Sequence, residues 1–174
     1  MEAMAEEFAD RAVSSVFLYS REAHPGENYS HHKTMDDKRH HARAFIEHSK
    51  LKRPVLLDDI RGTAHQAYGC LPNMTWIFGR GGVIVYKAAW TDPVDIRHAL
   101  VSAVDFASRR VKEGLMPYYS ERQGFREPDR DDVLEGLART GPKAVREGGA
   151  HMGKAFVQDL FDRLKQLGHD LGEP

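Results

Sequence analysis

The chain has 174 residues, 41% of them hydrophobic and 29% charged, enough for one folded domain with a small appendage. A formal net charge of −1 gives no general attraction to nucleic acid or an anionic membrane, and a single cysteine excludes an intrachain disulfide framework. The acidic start MEAMAEEFAD is not a signal peptide, and no apolar run approaches the roughly 20 residues of a bilayer span, so a cytoplasmic protein is expected.

Residues 2–12 read as a short helix, with Met4, Phe8 and Ala12 at four-residue spacing. Ser14–Ser20 is a nearly continuous apolar run, the pattern of a strand buried on both faces. A polar loop over 21–33 leads to Thr34 and Asp37, spaced as a capping box that opens a helix to about Lys50. Met35, Ala42, Phe45 and Ile46 form its apolar side. A second strand, Pro54–Asp59, ends in acids, and a short helix over Thr63–Tyr68 closes at Gly69. Two apolar runs around Gly81-Gly82 predict a hairpin, with Gly79-Arg80-Gly81-Gly82 as its turn rather than a phosphate loop. Asp92-Pro93 opens another helix.

Residues 111–130 read as a charged loop, and 131–139 as a helix. Gly141-Pro142 and Gly148-Gly149 break the chain before an amphipathic helix over 154–167. The order predicts an α/β sandwich with a mixed sheet over residues 1–110 and a helical C-terminal extension over 111–174. Pro72, just before the first hairpin strand, is placed for a cis peptide that turns the chain sharply into the strand.

The histidines cluster at His31-His32, His40-His41 and His48. Asp36/His40 and Asp37/His41 have the i, i+4 spacing of paired ligands, but doublets point two ways at once and no His-Glu-x-x-His motif exists. A solvated helix face is therefore expected, with no metal and no cofactor. The segments 116–122 and 125–130 mix aromatics and arginines, but their interspersed acids favour packing over nucleic-acid stacking.

Three stretches resemble the iodothyronine deiodinase family and its bacterial relatives in the thioredoxin superfamily: FLYSREAHPGENY, HHKTMDDKRHHA and PVLLDDIRGTAHQAYGCLPNMTWIFGRGGVIVYKAAW. The third is generic for redoxins, whereas Glu22-Ala23-His24-Pro25 is the specific element, and the resemblance extends over about residues 4–107. The resemblance implies a thioredoxin-like fold and thiol- or selenol-dependent reduction. It implies that Glu22, His24 and His32 surround the reactive chalcogen, where a histidine moves its proton and an acid orients the imidazole. It places Pro72 at the family's cis-proline. Cys70, two residues earlier, is then a candidate substrate-side residue, or simply a small buried one.

The family's strand and loop bearing the selenocysteine or cysteine have no counterpart here, and Asn73-Met74-Thr75 stands where deiodinases carry an arginine. The fold is thus expected to lack a central strand at its N-terminus, the native protein to begin upstream, and the chain as it stands to be inactive in that chemistry. The expected partners are a thiol reductant or small-molecule substrate. A second copy could join through the open sheet edge or the C-terminal helix. The alternative is a non-catalytic binding or assembly module of the same fold.

Overall fold

The computed structural model describes residues 1–116, 118–123 and 129–174. It is a mixed α/β protein with seven α-helices and five short strands among the described residues. These fall into two compact units: residues 1–17, 51–54 and 69–127, and residues 18–50, 55–68 and 128–174. No helix among the described residues is long and apolar enough to cross a membrane.

The first unit begins with α1 (Glu2–Ala9), shorter than its spacing predicts because Ala12 leaves the helical region at φ 58°. Its hairpin is as expected. β3 (Thr75–Phe78) pairs antiparallel with β4 (Ile84–Ala88), with a bulge at Ile77/Phe78. The turn contains Gly81 at φ 78°, a conformation that costs any residue with a Cβ. α4 (Pro93–Glu113) starts where Asp92 accepts from the amides of Val94 and Asp95, and stops at Gly114 in the left-handed region. Tyr86, Ala88 and Ile96 form the centre of this unit, flanked by Met4, Ile77 and Leu100.

Two sequence expectations need correction here. Residues 111–130 are not all loop, since α4 runs to Glu113 and β5 (Ser120–Arg122) pairs in parallel with β4. β5 has no apolar residue to betray it, and an ion pair between Lys87 and Glu121 at 3.1 Å links the two strands. No peptide among the described residues is cis, so Pro72 follows a trans bond. Phe125, Arg126, Glu127 and Pro128 of the aromatic–arginine stretch, and Pro117, lie outside the described residues.

β1 (Phe17–Tyr19), of which Leu18 and Tyr19 belong to the second unit, pairs with β2 (Val55–Leu57), and the Asp58 amide donates to Tyr19 O at 3.1 Å just past the strands. The expected burial of β1 on both faces does not hold. Tyr19 is buried, but Leu18 is 36% and Leu56 51% exposed, because a two-stranded ribbon carries no second covering layer on that face. Among the described residues the strands form two small sheets, β1-β2 and β3-β4-β5, rather than one.

α2 (Met35–Ser49) has the capping box its sequence predicts. Thr34 Oγ1 accepts from the Asp37 amide at 3.1 Å, and Asp37 Oδ2 accepts from the Thr34 amide at 2.8 Å. α3 (Thr63–Ala67) is held by the acids that end β2. Buried Asp58 accepts from the amides of Ala64 and His65, and Asp59 from the amide and hydroxyl of Thr63. Three further helices, α5 (Arg130–Thr140), α6 (Pro142–Gly149) and α7 (Lys154–Gln166), enclose the unit's main core of Leu134, Leu137, Val145, Leu160, Phe161 and Leu164.

Candidate functional site

The loop between β1 and α2 carries most of the polar chemistry and is held at its middle by the corner between α5 and α6. The Asn28 amide donates to Thr140 O at 3.0 Å, and Asn28 Nδ2 donates to Arg139 O at 2.9 Å. The Glu27 carboxylate accepts from the Lys143 amide at the start of α6, where helix-end amides attract an anion. Gly26 lets the chain come this close, because a Cβ there would collide with the Thr140 carbonyl.

So anchored, the loop brings Glu22 and His32 beside the buried end of β1. Tyr19 Oη donates to Glu22 Oε2 at 3.2 Å and lies 3.5 Å from His32 Nε2. His41 joins them from the buried face of α2. Its ring centroid is 4.8 Å from that of His32 and 5.1 Å from that of Tyr29, which meets it edge-on. Glu22, His32 and His41 each place one potential ligand atom within 4.8 Å of the others. His41 is only 7% exposed, and its Nδ1 has no hydrogen-bond partner among the described residues.

Burial sets the electrostatics. It pushes His32 down to about 4, helped by the neighbouring His41 and Lys38, so the imidazole is neutral at pH 7. Burial likewise lowers His41, with the Glu22 carboxylate pulling the other way. Tyr19 is pushed well above the ordinary phenol range by burial first and by Glu22 second, so it stays a hydrogen-bond donor. Lys38 is buried on the same helix as His41. Its buried ammonium donates to Asp58 O at 3.0 Å and Asp59 O at 2.8 Å, tying α2 to the end of β2.

Of the residues singled out by sequence, Glu22 and His32 converge. His24 is exposed and lies outside the group. Cys70 is exposed rather than a small buried residue, at φ 63° after α3, and Pro72 is exposed in the turn before β3. Both belong to the first unit, whereas Glu22 and His32 belong to the second.

The expected solvated histidine face is only half right, since His40 and His48 are exposed but His41 is buried. Its signal was the helical spacing Lys38, His41, Ala42, Phe45, which sets His41 on the inward stripe of α2. Tyr19 was equally missed, as the last residue of a strand normally read for packing alone.

The first unit has a separate cavity of about 260 Å³, lined among others by Tyr86, Asp95, His98, Ser102 and Arg122. Arg122 is paired there with Asp95 at 2.8 Å, which leaves the cavity without a free strong charge from that pair.

The Tyr19–Glu22–His32–His41 group can accept and return a proton through neutral imidazoles, with a carboxylate and a phenol to orient them. Compared with known proteins, the chain matches no family model, no curated protein and no solved structure.

Proposed function

We propose that this chain is a thioredoxin-like redox protein of the deiodinase type, in which Glu22 and His32 handle the proton of a reacting thiol or selenol. The observation that carries the reading is the convergence of Glu22 and His32 on Tyr19 at the end of β1. These are two of the three positions that the family resemblance singles out. A neutral, half-buried His32 offers its free lone pair to the hydrogen of an incoming S–H or Se–H; burial makes it a weak base, and the Asp37 carboxylate favours the imidazolium that forms. The nucleophile itself is not in this group, and the single cysteine, Cys70, lies in the other unit. The chain as it stands therefore needs its chalcogen from a substrate or a reductant.

The test supplies a small thiol and a chromogenic aromatic disulfide. The added thiol loses its proton to His32 and attacks one disulfide sulfur. A mixed disulfide forms as the S–S bond breaks, the released arenethiolate carries away the electron pair, and His32 gives its proton up to water. The expected result is acceleration over buffer that His32→Ala and Glu22→Gln both abolish while the far-ultraviolet spectrum is unchanged. Equal rates with wild type, His32→Ala and buffer would overturn the reading.

A second reading, a binding module without catalysis, is favoured by the exposed Leu18 and Leu56 on neighbouring strands. It predicts a concentration-dependent increase in mass that Leu18→Lys reverses, with no thiol chemistry.

A further inference from the structure

We propose that Glu22, His32 and His41 form a binding site for a divalent transition-metal ion of the zinc class. The argument rests on their placement and not on the redox reading. One carboxylate and two imidazoles offer ligand atoms within 4.8 Å of one another. Tetrahedral zinc, with bonds of about 2.0–2.1 Å, holds its ligands about 3.3 Å apart, so an ion has to draw the three together by about 1.5 Å at most. Glu22 and His32 stand on a loop, and χ rotations there cover that distance without moving α2.

The second, independent observation is the His41 side chain. It is buried, it faces His32, and its Nδ1 finds no hydrogen-bond partner among the described residues. A polar atom buried in this way is normally satisfied by a protein group, a water or an ion.

The donor set narrows the ion. Two borderline nitrogens and one oxygen suit zinc, cobalt or copper, and do not suit calcium or magnesium, which take oxygen ligands. Three protein ligands leave a fourth position for water or a substrate atom. Tyr19, donating to Glu22 Oε2, holds the carboxylate in place as an outer partner of a metal ligand does. A bound ion would occupy the imidazole lone pairs that proton transfer uses, so metal and thiol chemistry exclude each other at this site.

The experiment uses the full chain, untagged and freed of metal by a chelator. It is titrated with Co²⁺, read by ligand-field absorption, and with Zn²⁺ in competition with a chromophoric chelator. One ion per chain is expected at the tightest site. Glu22→Gln and His32→Gln should each weaken it by more than the roughly 10–100-fold that a merely supporting residue costs. His40→Gln and His48→Gln, both exposed, should leave it unchanged. His41→Gln alters a buried residue and is read only if its circular dichroism matches wild type; the Glu22 and His32 variants decide the matter without it. The proposal is overturned if those two variants bind as wild type does, or if affinity falls instead with His40 and His48, which would mean adventitious binding by surface histidines. Thiol exchange is a separate readout, so failure of the redox reading leaves this result intact.

Discussion

The Tyr19 hydroxyl donates to Glu22 Oε2 at 3.2 Å, only three residues along the chain. The same ring lies 5.6 Å from His32 and 6.0 Å from Phe45, so its body packs while its tip organises. Tyr19→Phe should keep the packing and lose the hydrogen bond. We expect a stability loss of about 1 kcal/mol in urea denaturation and an intact near-ultraviolet spectrum. A loss several times larger would show that the ring itself had moved.

Gly26 should tolerate no side chain. A Cβ there meets the Thr140 carbonyl, which is backbone and cannot swing aside. Gly26→Ala is expected to cost about 2 kcal/mol or more by equilibrium unfolding, and to loosen the loop that carries Glu22. Faster amide exchange at Asn28, whose N–H bonds Thr140 O, would locate the damage.

The start of α2 offers a milder change. Thr34→Ala removes the acceptor for the Asp37 amide and should cost about 1 kcal/mol. Thr34→Ser, which keeps the oxygen, should recover most of it. If both variants match wild type, the cap contributes nothing measurable.

Lys38 gives an alkaline signature. Burial holds its ammonium below the ordinary lysine value of 10.5, against the pull of Asp58 and Asp59. The unfolded chain therefore binds the Lys38 proton more tightly than the folded chain. Between the lowered value and 10.5 the unfolded state carries more protons, so this group's contribution to stability rises with pH. Lys38→Met lacks that dependence. The difference in urea midpoint should shift in favour of wild type as pH is raised through this window, and a difference independent of pH would refute it.

In the helical core, Leu164 is fully buried among Leu134, Val145 and Leu160. Leu164→Ala should cost about 2–5 kcal/mol, measured by chemical denaturation.

Local signals made much of this structure legible in the sequence. Thr34 and Asp37 announced α2, Asp92-Pro93 announced α4, and Gly81-Gly82 the hairpin, because caps and turns depend on a few neighbouring residues. The apolar stripe of α7 read correctly through Val157, Leu160, Phe161 and Leu164, all buried. What stayed hidden depends on contacts distant in sequence. Ser120-Glu121-Arg122 has no hydrophobic alternation, so β5 exists only by its pairing with β4. His41 sits beside exposed His40, and the rings of Tyr29 and His32, both from the β1–α2 loop, pack against it. Glu22 and His32 could be named from a motif and His41 set on the inward stripe of α2 by its spacing, but the convergence of Tyr19 and His41 with them needed coordinates.

The bonds from Asn28 to Arg139 and Thr140 also have a consequence for biosynthesis. A partner 111 residues downstream does not exist when the β1–α2 loop leaves the ribosome. At ordinary elongation rates the loop waits on the order of ten seconds for the carbonyls that anchor it. Through that interval Glu22, His32 and His41 are present but unplaced, with the apolar faces of β1 and α2 open to chaperones. The centre is thus among the last parts of its unit to mature during translation, although its residues precede the corner that anchors them by about a hundred positions.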